Sequence, residues 1–181
     1  MFKICCQNYG IIRTNVLFIA IFLLTSTAIH ANDCFAQIND DTSIRCYKDI
    51  AKTMVHGTAL GLAEIIKDVK SEKKRIVLIR TFINPIRFFS DNSGYFYVYS
   101  FNGVNIAHAA QKELQGKNFS DHKDSKGKNI FRESSALARN GGGFFDFYWV
   151  KPGSKDEQKK LGYVERIHGT DYFIGTGVYL P

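Results

Sequence analysis

The chain has 181 residues, enough for one ordinary domain and an N-terminal extra. A hydrophobic share of 45% and an aromatic share of 14% fit a filled core and exclude a disordered chain. The formal net charge of +7 is diffuse, and its densest runs, KSEKKR at Lys70–Arg75 and KDEQKK at Lys155–Lys160, are mixed in sign. They are expected to be solvated, turn-like faces, and no nucleic-acid partner is expected.

In chain order, residues 1–31 have the pattern of a signal peptide, which leaves 32–181 as the domain. Lys3 and Arg13 supply a positive start, Val16–Leu24 (VLFIAIFLL) a short apolar core, and Ala28 or Ala31 a cleavage point. That core is shorter than the roughly 20 residues that span a bilayer, so an uncleaved anchor is the lesser alternative. Cys34 follows Asp33 rather than a small residue, so no lipobox is present. A periplasmic or secreted protein is the expectation. Cys5 and Cys6 lie in the leader, and Cys34 and Cys46 remain as an even pair in an oxidising compartment. A Cys34–Cys46 disulfide is expected, worth roughly 3 kcal/mol by loop entropy; the alternative is two unpaired thiols.

From Ile44 to Val69 the apolar positions fall at helical spacing, which predicts one long amphipathic helix capped by Thr42 or Ser43. A second apolar series, Ile76 to Phe89, follows the KSEKKR run, and Pro85 should kink or reset it. After the loop Ser90–Gly94 the period changes to two. Tyr95, Tyr97 and Tyr99 then share one strand face and Phe96, Val98 and Ser100 the other. Asn102-Gly103 predicts a hairpin returning as Val104–His108. Gln111–Lys128 is a polar, Gly-punctuated loop, and Phe131–Arg139 a short helix stopped by Gly141–Gly143. Strands at Phe144–Val150, Leu161–Ile167 and Tyr172–Tyr179 complete an α+β domain around one antiparallel sheet. The long helix would cover one sheet face and the loop excursion the other, enclosing a cavity.

These motifs resemble the single Cache domain, the extracytoplasmic PAS-like sensor module of bacterial chemoreceptors and sensor kinases. The resemblance runs over Ile44–Leu180 and is carried by IRFFSDNSGYFYVYS, Ala107-His108, LQGKNFSD with DSKGK, GGGFFDFYWVKPGS, KKLGYV and the closing FIGTGVY. It departs at Ala109, where the family usually has Pro, at Phe147 for a common Tyr, and at Tyr172 for a late Trp. The resemblance implies a long N-terminal helix packed on a five- to six-stranded antiparallel sheet. It also implies a small organic ligand, often a short carboxylate, held between sheet and loops, and a homodimer through the long helix. No transmitter segment follows Pro181 in the sequence, so the expectation is a free-standing sensor that signals through a membrane receptor or sensor kinase.

A carboxylate in a cavity needs a cation or several donors. Lys160, which opens the KLGYV strand, could supply the charge or lie exposed beside the charged turn. Arg87 could clamp a carboxylate or satisfy a helix end. His108 could donate to a ligand or bind loop backbone. Tyr95 and Tyr97 could meet a polar ligand with their phenols or form a core stripe with Tyr99. Tyr163 and Trp149 are expected as pocket walls or core rather than specific contacts, and His56, His122 and His168 as ordinary residues. No metal is expected, because Asp121, His122 and Asp124 lack a second group of ligands. No cofactor is expected, and no enzyme, since no strand end pairs a nucleophile with a base. The alternatives are a small exported enzyme using His108, or an interaction protein with a filled pocket.

Overall fold

The structure, a computed structural model, describes residues 40–180. The expected signal segment and Cys34, and with it the Cys34–Cys46 pairing, lie outside the described residues. The chain divides after Cys46, and the whole sheet lies in the compact body Tyr47–Pro181. Helix α1 is Asp40–Ile66 and α2 is Glu72–Ile83. The strands are β1 (Tyr97–Ser100), β2 (Asn105–His108), β3 (Gly143–Val150), β4 (Glu157–Ile167) and β5 (Tyr172–Tyr179), with α3 (Ile130–Arg139) before β3.

Within α1, Ala51, Val55, Ala59, Leu62 and Ile66 are buried, as their three- and four-residue spacing requires for a single apolar stripe. Ser71 caps α2 by accepting from the Lys74 N–H, and the helix stops at Ile83, just before Pro85. Asn129 caps α3 by accepting from the Arg132 N–H at 2.8 Å. At the other end of α3, Gly141 takes φ +94° and the Gly142 N–H returns to the Leu137 carbonyl.

The sheet has five strands in the order β2-β1-β5-β4-β3, and every pairing is antiparallel. The first and last strands therefore meet at its centre and join the hairpin to the meander. The KDEQKK run, expected as a solvated turn, lies outside the strand only at Lys155 and Asp156, because β4 starts at Glu157 and the run's last four residues pair with β3. Alternation had pointed to Leu161 as the start; the strand continues backward through charged residues because β3 offers a full-length partner.

Strand alternation gives the sheet two distinct faces. One carries Phe96, Val98, Ile174, Tyr163 and Glu165, and it meets α1, where His56 Nδ1 lies 2.9 Å from a Glu165 carboxylate oxygen. The other face carries Tyr95, Tyr97, Tyr99, Phe147, Trp149 and Lys160. It is roofed by the segment between β2 and α3.

Candidate functional site

Glycines make room on the roofed face. Gly175 sits opposite Tyr97, and a Cβ there would lie 2.6 Å from the tyrosine ring. A Cβ on Gly177 would lie 3.0 Å from Lys160 Cε, and one on Gly162 would lie 2.9 Å from the Phe145 and Phe147 rings. The aromatic rings and the lysine stem thus lie flat against bare backbone, in spaces a side chain would fill. Above them the roof is tied down by Asp124. Its carboxylate accepts from the Lys126 and Lys128 N–H groups, each at 2.9 Å, and from the Tyr148 N–H at 3.0 Å on β3. Those backbone donors hold the Asp124 pKa below its ordinary value despite the opposing effect of burial. Asn129 adds a bond from Nδ2 to the Ser120 carbonyl at 2.9 Å.

Between sheet and roof lies a cavity of about 30 Å³, counted as room for the centres of water molecules. One water needs roughly 10–15 Å³ on that measure, so the space suits a few heavy atoms. Its polar lining includes Lys160, His108, Tyr95, Tyr97 and His122, with Phe119, Phe131, Phe147 and Trp149 among its aromatic walls.

Lys160 is fully buried, at 0% exposure, which overturns its expected alternative of an exposed turn residue. Its Nζ lies 3.8 Å from the centre of the Tyr95 ring and 4.5 Å from that of Tyr179. Its one hydrogen-bond acceptor among the described residues is the Tyr179 oxygen, at 3.5 Å. Tyr179 donates its own proton to the Val150 carbonyl at 2.8 Å, so Tyr95 must be the donor in the 3.0 Å contact between the two phenols. No carboxylate pairs with Lys160 among the described residues, and burial pushes its pKa well below 10.5.

His108, 2% exposed, takes the structural one of its two expected roles, binding loop backbone. Its Nδ1 accepts from the Gln111 N–H at 2.9 Å, which binds roof backbone and fixes the proton on Nε2. Burial, then the charges of Lys160 and Arg87, lowers its pKa to about 3 and keeps the ring neutral. Gln111 also accepts from Trp149 Nε1 at 2.7 Å, so one glutamine orients both rings.

The structure gathers Tyr95, Tyr97, His108 and Lys160 around one cavity and leaves Arg87 out of its lining. The Arg87 guanidinium donates to the Asn84 and Ile86 carbonyls at 3.1 and 2.6 Å, and to the Ala109 carbonyl. It closes the end of α2 and ties it to the residue after β2, the bland alternative that its position allowed. His56 has its partner in Glu165, and Tyr163 sits on the α1 side rather than in the cavity wall. His122, read as ordinary, is in the lining. The signal that could have found it was its place in the middle of the one long polar loop.

A helix-backed antiparallel sheet, roofed on its other face over a small aromatic-walled chamber with a few polar groups, is the architecture of a small-ligand-binding domain. The profile described as Cache domain matches residues 36–181, and the chain belongs to that family. It is 33% identical over 113 residues to the sensor histidine kinase MctS of Rhizobium johnstonii, a stretch covering 62% of this chain and 23% of that protein. Among solved structures it resembles a methyl-accepting chemotaxis protein from Vibrio parahaemolyticus (TM-score 0.66, 28% identity, covering 77% of this chain and 92% of that one). The fold is also that of a Cache chemosensory domain solved for its carboxylic acid recognition (TM-score 0.68, 24% identity, covering 79% and 99%). Cache domains are sensory modules of chemoreceptors and kinases. Among the described residues, no helix is long and apolar enough to cross a membrane.

Proposed function

We propose that this chain is an exported sensor module that binds a short organic carboxylate in the cavity between sheet and roof. The observation that carries the reading is Lys160, a fully buried lysine with no anion beside it among the described residues and a pKa that burial lowers. Such a group is costly unless something negative arrives to pair with it. In the proposed site Lys160 supplies the charge, the Nε2–H of His108 donates a hydrogen bond, and Tyr95 and Tyr97 fix orientation. Arg87 contributes a positive field from outside the chamber rather than a contact. The lining contains no Asp or Glu to receive an ammonium group, which favours plain carboxylates over amino acids. The cavity size favours ligands of a few heavy atoms.

Signal output on this reading runs through a partner, a membrane receptor or sensor kinase, and the domain pairs with a second copy through α1. Titration calorimetry of the purified chain against short monocarboxylates, dicarboxylates, amino acids and purines tests the ligand class. Heat from the monocarboxylates alone is the expected result. Binding confined to amino acids or purines, or no binding by any of the panel, sinks it.

A further inference from the structure

Outside the chamber, the fold brings two like charges onto one ring. Phe101, the residue after β1, is 6% exposed, and its ring is backed by Phe173 at 5.3 Å. The guanidinium carbon of Arg139, the last residue of α3, lies 4.2 Å from the centre of the Phe101 ring. That of Arg166, on β4, lies 5.5 Å from the same centre. Both arginines are exposed, and none of the three residues lines the chamber.

Among the described residues, neither guanidinium has a carboxylate within ion-pair distance. The acids nearest in sequence are placed elsewhere. Glu165 meets His56 on the α1 side, and Asp171 lies in the wall of a groove with Glu72 and Arg75. The negative end of α3 accounts for one cation at Arg139 but not for a second arriving from a strand. Arg166 donates from Nη2 to the Thr170 carbonyl at 3.0 Å. That bond holds its side chain in place and leaves most of its donors without an acceptor among the described residues. Stacking on an aromatic face orients a guanidinium without using its N–H groups. Two forks of the same sign are therefore set in place beside each other, and an anion that meets them has little ordering left to impose.

We propose that Arg139 and Arg166, held by Phe101, form a binding site for a phosphate dianion, free or as a monoester. The charge matches, one dianion to two guanidinium groups. The shape matches as well, because phosphate oxygens point to the corners of a tetrahedron and can meet two forks from different directions. A carboxylate carries both oxygens on one carbon and fills a single fork. The site is separate from Lys160 and does not depend on the carboxylate reading of the chamber.

The test is calorimetry of the full chain with inorganic phosphate and with glycerol phosphate, above the second phosphate pKa of about 6, with ionic strength held constant by chloride. At least one of them is expected to bind, and the tighter of the two identifies the source of the phosphate group. Arg139→Ala and Arg166→Ala should each weaken that binding by about tenfold or more. Arg139→Lys keeps the charge but loses the fork, and should recover little of it. Arg132→Ala, which removes another exposed cation of α3, should leave the affinity within about twofold, since a distant exposed charge is screened. Thermal melts check the fold of each variant. No heat from either phosphate, or an Arg132→Ala loss as large as that of Arg139→Ala, overturns the site. Phosphate binding abolished by Lys160→Met would place the anion in the chamber and overturn it as well.

Discussion

Lys160 is the residue on which the chemistry turns. A buried lysine amine whose neighbours among the described residues are aromatic rings and one phenol oxygen is retained at a cost to stability, whether the cost falls on the charge or on the lowered pKa. Methionine matches its length and would pack against the same rings. Lys160→Met is therefore expected to raise the melting temperature of the empty protein, by roughly 2–4 °C for each kcal/mol relieved. The same variant should weaken carboxylate binding by about a hundredfold or more, since the anion would lose its charged partner. Thermal melts and calorimetry on one preparation check both. A lower melting temperature with binding retained would make Lys160 a structural residue.

The same group sets the pH dependence. In the empty chamber its pKa lies well below 10.5, and a bound anion raises it. Between those two values the loaded site holds a proton that the empty site does not. Carboxylate affinity is then expected to fall as pH rises through that window and to level off below it, while His108, titrating at about 3, stays neutral. The unfolded chain takes up its lysine proton near pH 10.4, so stability of the empty protein should rise with pH across the same window. Calorimetry in two buffers of different ionisation enthalpy measures the proton uptake directly. Equal heats in both buffers, with affinity unchanged or rising with pH, would contradict it.

Among the elements, the roof depends on one carboxylate. Asp124→Ala leaves the N–H groups of Lys126, Lys128 and Tyr148 without their acceptor, at about 1–3 kcal/mol for a buried unsatisfied donor. The expected outcome is faster amide hydrogen exchange between β2 and α3, weaker ligand binding, and little change in α1 or the central strands. Uniformly faster exchange through the whole sheet would mean that the loop is integral to the core. The strands were legible because alternation and turn signals are local. The hairpin at Asn102-Gly103 and the phenol face of Tyr95, Tyr97 and Tyr99 follow from neighbours alone. The early start of β4 at Glu157 was not, because a charged stretch becomes a strand only when a partner as long as β3 lies beside it.

For the whole molecule, the outer face of α1 bears on assembly. Ile50 and Ile65 are 36% and 44% exposed, and Gly57 and Gly61 between them face open space. Small residues flanked by apolar ones on one helix stripe allow two backbones to approach closely. On the proposed reading the chain self-associates there. Ile50→Asp with Ile65→Asp should shift sedimentation equilibrium toward monomer without lowering the melting temperature sharply. A wild-type chain that sediments as a monomer at tens of micromolar would remove α1 as an interface.

The sequence by itself determined the class of fold, because helical period, strand alternation, Pro85, the glycine stops and the ordered family motifs are all read along a few residues at a time. It also contained the lining residues Tyr95, Tyr97, His108 and Lys160, but only as separate candidates. Tertiary structure decided which of them meet. Lys160 enters the chamber because β4 extends and Gly177 leaves room for its stem, and Arg87 stays out because carbonyls at the end of α2 and at Ala109 engage it first. His122 becomes a candidate only when its loop closes over the sheet, since burial and the absence of a partner are properties of the assembled fold and leave no trace in local spacing.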